Sequence, residues 1–393
     1  CKHTILQLTP SPFAELAGFE QPTPKARKVA TTSTGHIPPI SGPNLMKEAQ
    51  TKSQSFPAPL VLPHDALNYD PDGEGPAQTF KSWLQEKHRN MITEKRKTLY
   101  VGGPPKIDEK VNFMREWVNP KGTRTADDEQ LTPPSVDETI AYIRDFYHGM
   151  PVKRLSIDLW WTAWEQSKKC AVPSADGLPQ YVALSYGDAA TRVRARPSPD
   201  SIFPAQLNLD DILDAAIAML PDDAYAIVLL VDHDIYESPD DDFCAGRAYG
   251  GSRVSLVQSA RYNPLLDEKI GIECEHAWPM SHCRCVVDEL CAPEEVKCKP
   301  ATAIEKALSK TGAMRAAVDA VVKLEMHVDD TKAELEALWA SRVLRTVSHE
   351  LGHTLCLAHC HYYACIMQST SSLLEDTRQP PSLCPVCLSK IAH

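Results

Sequence analysis

The apolar and polar positions of this chain change texture along its length, and the texture predicts where folded elements lie. "AYAIVLLV" (224–231) is apolar without interruption, the pattern of an interior strand buried on both faces. "SRVSLVQSARY" (252–262) alternates instead, which predicts a strand with one face exposed. "QYVALSYGD" and "TRVRARP" read as two strands around a Gly-Asp turn, and "TLYV", closed by Gly-Gly-Pro-Pro, as another. Helical spacing appears around 80–91, in "SVDETIAYIRDFYHGM" with its acidic first turn, and in "LNLDDILDAAIAML", where Asn208 is placed to cap and Pro221 follows the end. From Thr331 a longer helical stripe through Leu335, Leu338, Trp339, Leu344 and Val347 runs into "SHELGHTLCLAHC". Strands and helices alternate ahead of that stretch, so the expected class is α/β (α+β).

The first 75 residues are predicted to form a proline-rich, largely irregular arm. Twelve of the 32 prolines fall within the first 80 residues, and such a segment buries little apolar surface against its ordering entropy. Residues 76–130 are expected to be a docking segment and 131–393 the main domain, with a cysteine-rich insertion at 274–298 that reads as a thiol-bearing surface excursion. No internal repeat is present at solenoid periods.

Charge narrows the partners. The 41 basic and 52 acidic residues give a net charge of −11, without a basic cluster or interleaved basic and aromatic residues, so neither nucleic acid nor an anionic membrane surface is an expected partner. The longest apolar run is far too short to span a bilayer, and no secretory signal is read at the N-terminus. Thirteen cysteines in C-x2-C, C-x4-C and C-x-C spacings suit metal better than a disulfide framework in a chain this long, which favours a reducing, cytoplasmic setting.

The chemistry concentrates between 348 and 387. His349 and His353 are four apart on the predicted helix, so both imidazoles share a face and can grip one zinc ion. Glu350 beside them can reach a zinc-bound water as general base. A catalytic zinc takes three protein ligands, and His359, six residues beyond His353, supplies the third if the helix ends between them. Cys360, Cys365, Cys384 and Cys387, the last two in "LCPVC", can hold a structural zinc as four thiolates, two disulfides or free thiols being the alternative. Tyr362 or Tyr363 could donate to an oxyanion, although packing is the plainer role. His233 reads as a loop residue at a strand end.

"HELGHTLCLAHCHYYACIM" followed by "LCPVC" closely resembles the archaemetzincins, or archaelysins, zinc metallopeptidases of the metzincin clan, with a weaker resemblance back to about Leu131. The resemblance implies a metzincin-like mixed twisted sheet with an active-site helix, followed by a small zinc-bound C-terminal subdomain. It implies His349, His353 and His359 as catalytic zinc ligands, Glu350 as general base, Cys360, Cys365, Cys384 and Cys387 on a second zinc, and Met367 as the Met-turn methionine. Cys356 departs from it: the family carries glycine where the chain leaves the helix in a conformation that a side chain resists, at a cost on the order of 1 kcal/mol. The expected activity is hydrolysis of peptide bonds in a peptide or protein substrate, by a chain read as a monomer with two zinc ions. The competing reading is a catalytically impaired relative that uses the same two-zinc scaffold to bind peptides or proteins.

Overall fold

The computed structural model describes residues 3–37, 56–62, 77–122, 131–164, 177–292, 300–325 and 331–393. It divides into two compact units. One, the sheet unit, comprises 88–270 and 330–356; the other, the cysteine-rich unit, comprises 1–87, 271–329 and 357–393.

The sheet unit holds eleven strands among the described residues: β1 (Thr98–Gly102), β2 (Lys106–Ile107), β3 (Val152–Arg154), β4 (Leu159–Thr162), β5 (Tyr181–Tyr186), β6 (Ala189–Arg196), β7 (Gln206–Asn208), β8 (Ala224–Val231), β9 (Ile235–Tyr236), β10 (Gly246–Tyr249) and β11 (Val254–Gln258). Five form a mixed sheet in the order β10-β11-β8-β1-β3, parallel except for β10, which runs antiparallel to β11 at the edge. Six form a second mixed sheet in the order β2-β4-β5-β6-β7-β9, built around the β5–β6 hairpin. The class is the α/β mixture that the alternation of patterns predicts.

β8 is buried along all eight residues, between β1 and β11, as an uninterrupted apolar run requires. β11 differs from expectation. Its alternation predicts a half-exposed strand, yet all five residues are buried, because the helices Lys332–Thr354 and Leu209–Ala218 both pack on it. Ser255 and Gln258 sit inside with hydrogen bonds: Ser255 Oγ donates to the Ile227 carbonyl (3.3 Å) and Gln258 Nε2 to the Cys244 carbonyl (2.5 Å). Buried polar residues that satisfy themselves imitate an exposed face in sequence. The strands at the edges of this sheet are β10 and β3.

The predicted helix ends hold where a cap was visible. Ser135 caps Val136–Phe146 and Thr331 caps Lys332–Thr354, each in a reciprocal box with the glutamate three residues on, and Asn208 accepts from the Asp211 amide. The helix expected over 80–91 stops at Leu84. Beyond it "QEKHRN" offers no apolar residue to bury, and Met91 and Ile92 are exposed.

The cysteine-rich unit is made of short helices, among them Pro24–Ala30, Phe80–Leu84, Arg284–Cys291, Ala313–Glu325 and Pro385–Ile391. Leu6 and Ala58 pack there with Met280, Cys283, Met314 and Val318. Two thiols of the insertion are thus interior: Cys283 and Cys291 are buried in apolar clusters, while Cys274 and Cys285 are exposed. Amphipathic helix spacing in "HCRCVVDELC" turns alternate cysteines inward, which corrects the surface reading. Cys298 lies outside the described residues. No described helix is long and apolar enough to cross a membrane.

Candidate metal centres

The Lys332–Thr354 helix carries the first candidate site and is held along its length. Trp339 Nε1 donates to the Ser259 carbonyl (2.8 Å), and Arg342 makes a bidentate pair with Asp267 (2.7 and 2.6 Å). Tyr147 Oη donates to the Ser348 carbonyl (2.5 Å) and Tyr225 Oη to that of Thr354 (3.1 Å). Val343, Val347 and Leu351 are fully buried, each contributing about 1.5–3 kcal/mol by leaving water. The helix is therefore a rigid platform.

His349 and His353 project from one face of it, with their Nε2 atoms 3.0 Å apart and rings at 80°. Two nitrogens bound to one tetrahedral zinc at about 2.05 Å lie about 3.3 Å apart, so the pair is spaced as ligands of a single ion. His349 and Glu350 are buried and His353 is half-buried. Glu350 lies against the edge strand, where a Cβ added at Gly246 would meet its Cγ at 3.2 Å.

The helix leaves its last turn at Cys356, whose φ is +62° and whose amide donates to the His353 carbonyl (2.9 Å). This is the left-handed exit expected there, occupied by a residue with a Cβ. Gly250 approaches the same turn so closely that a Cβ on it would sit 2.6 Å from the His353 carbonyl oxygen. Three residues past Cys356 comes half-buried His359. His349, His353 and His359, from one eleven-residue stretch, form a group able to hold a metal, their ligand atoms within 4.8 Å of one another.

The four thiols of Cys360, Cys365, Cys384 and Cys387 form a second such group, all buried, with Cys360 and Cys384 Sγ 3.5 Å apart. Hydrogen bonds from the other three thiols hold Cys360 well below its ordinary range, while burial pushes Cys365 well above it. Four sulfurs crowded in a dry pocket resist ionising together unless a cation joins them, and this donor set suits tetrahedral zinc. Backbone amides help: Cys384 N–H donates to Cys365 Sγ (3.2 Å) and Cys387 N–H to Cys384 Sγ (3.5 Å). Met367 is fully buried, and its carbonyl accepts from the Cys360 amide (2.7 Å). A third group, Glu273, Glu275 and His276, is largely exposed acid.

The remaining candidates resolve toward packing. Tyr362 Oη donates to the Ala77 carbonyl (2.8 Å), and Tyr363 is buried under Arg27. His233 lies in the bend after β8, the loop position expected at the strand end, but it is buried there: Nε2 faces the Met114 carbonyl (3.2 Å), its ring meets Trp161 edge-on, and burial pushes its pKa down to about 4.

Two residues near the site were invisible in sequence. Cys244 is close enough to Glu350 to feel its charge, which adds to burial in pushing the thiol up to about 12. Tyr225 holds the helix exit; a lone hydroxyl in the apolar run of β8, which needs a buried partner, was its only signal.

Residues 309–393 match the model described as peptidase family M54. The archaemetzincin-2 proteins of Rattus norvegicus and Homo sapiens are each 41% identical over 58 residues, 15% of this chain and 16% of theirs. The archaemetzincin of Methanopyrus kandleri is 46% identical over 50 residues, 13% of this chain and 29% of that one. The matched stretch thus spans only 16% of the mammalian relatives' length. A crystal structure of the M. kandleri archaemetzincin aligns over 77% of this chain and 97% of its own at 15% identity, with a TM-score of 0.35. The likeness read from histidine and cysteine spacing is therefore borne out where it was strongest: residues 309–393 carry the pattern of peptidase family M54, and a stretch of 50 to 58 residues of this chain is similar to the archaemetzincins.

Proposed function

We propose that the chain is a zinc-dependent metallopeptidase that hydrolyses peptide bonds, with His349, His353 and His359 holding a catalytic ion and Cys360, Cys365, Cys384 and Cys387 a structural one. The observation that carries the reading is the pair of Nε2 atoms 3.0 Å apart on a helix that also presents Glu350. The M54 match over the same residues supports it. When bound, zinc would supply a Lewis acid that polarises a peptide carbonyl and lowers the pKa of water from about 15.7 to about 7. Glu350 takes the proton of the attacking water and returns it to the departing amine, so one carboxylate serves as base and then acid. β10, whose outer edge has no strand partner among the described residues, offers backbone groups to an extended substrate. Gly246, on that strand, leaves space beside Glu350.

The left-handed φ of Cys356 favours a second reading, a weakened relative that binds peptides on the same scaffold. Cleavage of a peptide library with and without chelator separates them. Chelator-sensitive hydrolysis that Glu350→Ala abolishes is the expected result, and a full chain that binds metal but cleaves nothing leaves the second reading standing. Metal analysis should find two ions per chain, His359→Ala and Cys384→Ser each removing mainly one.

A further inference from the structure

One glutamine upstream of the family-matched stretch touches the backbone next to the third histidine. Gln78 Oε1 accepts from the Ala358 amide (3.1 Å), and Ala358 immediately precedes His359. The same oxygen accepts from Lys390 Nζ (2.7 Å), which also donates to the Gln78 main-chain carbonyl (2.9 Å). Lys390 is only 2% exposed, so these are charge-assisted bonds in a dry setting. An ammonium on the amide oxygen polarises it and strengthens its hold on the Ala358 N–H.

The junction is built in from both sides. Lys390 belongs to the Pro385–Ile391 helix, which Cys384 caps and which carries Cys387. The Phe80–Leu84 helix that follows Gln78 packs on that helix, with the Phe80 and Trp83 rings at 5.7 and 6.4 Å from the His393 ring. On the other side, Tyr362 Oη donates to the Ala77 carbonyl. The loop carrying His359 is thus tied at Ala358 and at Tyr362 to residues 77 and 78, which in turn hang from the helix that Cys384 caps and that bears Cys387.

We infer that Gln78 is a positioning residue for His359, acting through the Ala358 amide and anchored by Lys390. The inference rests on the reading of His359 as a metal ligand. Residues that orient metal ligands typically alter affinity by about 10- to 100-fold when removed. The test uses the full chain loaded with Co²⁺ and titrated with a competing chelator. The thiolate-to-cobalt absorption band reports the four-cysteine site, and total bound cobalt minus that fraction reports the histidine site. Gln78→Leu, similar in size but without an acceptor, should weaken the histidine-site cobalt by about 10- to 100-fold and leave the thiolate band unchanged. Gln78→Glu keeps an acceptor for both Ala358 and Lys390 and should restore most of that affinity. Unchanged affinity in Gln78→Leu, or equal loss at both sites, would overturn the inference. His359→Ala guards the underlying reading: if it leaves cobalt outside the thiolates undiminished, the ligand assignment fails, and this inference with it.

Discussion

The two units solve the same problem, burying enough surface to hold a site still, by opposite means. The sheet unit relies on long elements: an eight-residue strand buried throughout, a 23-residue helix, and two sheets whose ladders satisfy the backbone. The cysteine-rich unit gathers three separate stretches of chain, and its described α-helices run from five to thirteen residues. It also holds ten of the thirteen cysteines. Short helices are marginal without tertiary packing, so a unit made of them gains disproportionately from a cross-link. The difference teaches where loss of a metal from the four thiols should be felt: as structure, in the cysteine-rich unit.

The comparison can be broken most forcefully through the thiols. A structural zinc contributes on the order of 10 kcal/mol of apparent binding free energy to a small fold. Cys384→Ser should therefore expose the amides around 360–391 to hydrogen exchange while β1, β8 and β11 stay protected. Equal loss of protection in both units would contradict the contrast.

The next largest effect belongs to the sheet unit. Arg261 is 1% exposed and paired with Asp234 through Nε (2.9 Å) and Nη2 (2.5 Å), and also with Asp200. Arg261→Ala leaves a buried carboxylate uncompensated, at about 3–5 kcal/mol in denaturant unfolding. Thiolate-band intensity in cobalt-loaded protein at low denaturant should be unaffected.

Acid tests both units at once, since each contains a histidine whose pKa burial pushes down to about 4, His233 in the sheet unit and His282 in the other. Between the unfolded value of about 6.5 and 4, the unfolded chain binds more protons than the folded one, so stability is full above this window and falls as pH drops through it. At pH 5 each should cost about 2 kcal/mol. His233→Gln and His282→Gln should each flatten the pH 7-to-5 slope of unfolding free energy by that amount, and an unchanged slope would mean the imidazole is not sequestered.

The smallest change expected is a gain. Cys356→Gly relieves a left-handed residue and should stabilise the sheet unit by about 1 kcal/mol in thermal or denaturant unfolding. If strain at this exit limits the site, the same variant should raise metal affinity as well.

Much of the candidate site was legible because it is local. Four-residue spacing on a helix puts His349 and His353 on one face whatever surrounds them, and Thr331 with Glu334 marks where that helix begins. Cys384 and Cys387 are neighbours by covalent geometry. β11 shows where local reasoning stops. Its alternation was real, but Ser255 and Gln258 found partners inside, and only the two helices packed on it decide that the strand is interior. The buried thiols of Cys283 and Cys291 fail to announce themselves for the same reason.

By itself the sequence determined the helix register that pairs two imidazoles with a carboxylate, the exit turn at Cys356 and the grouping of four cysteines near the end of the chain. Each depends on residues a few positions apart, whose separation the backbone dictates. Tertiary structure alone decided that β10 rather than β11 is an edge strand, that Tyr225 holds the last turn of the helix, that Cys244 comes near Glu350, and that Gln78 reaches Ala358 across 280 positions. Such contacts join segments whose meeting is set by which surfaces bury one another, and no spacing along the chain encodes that choice.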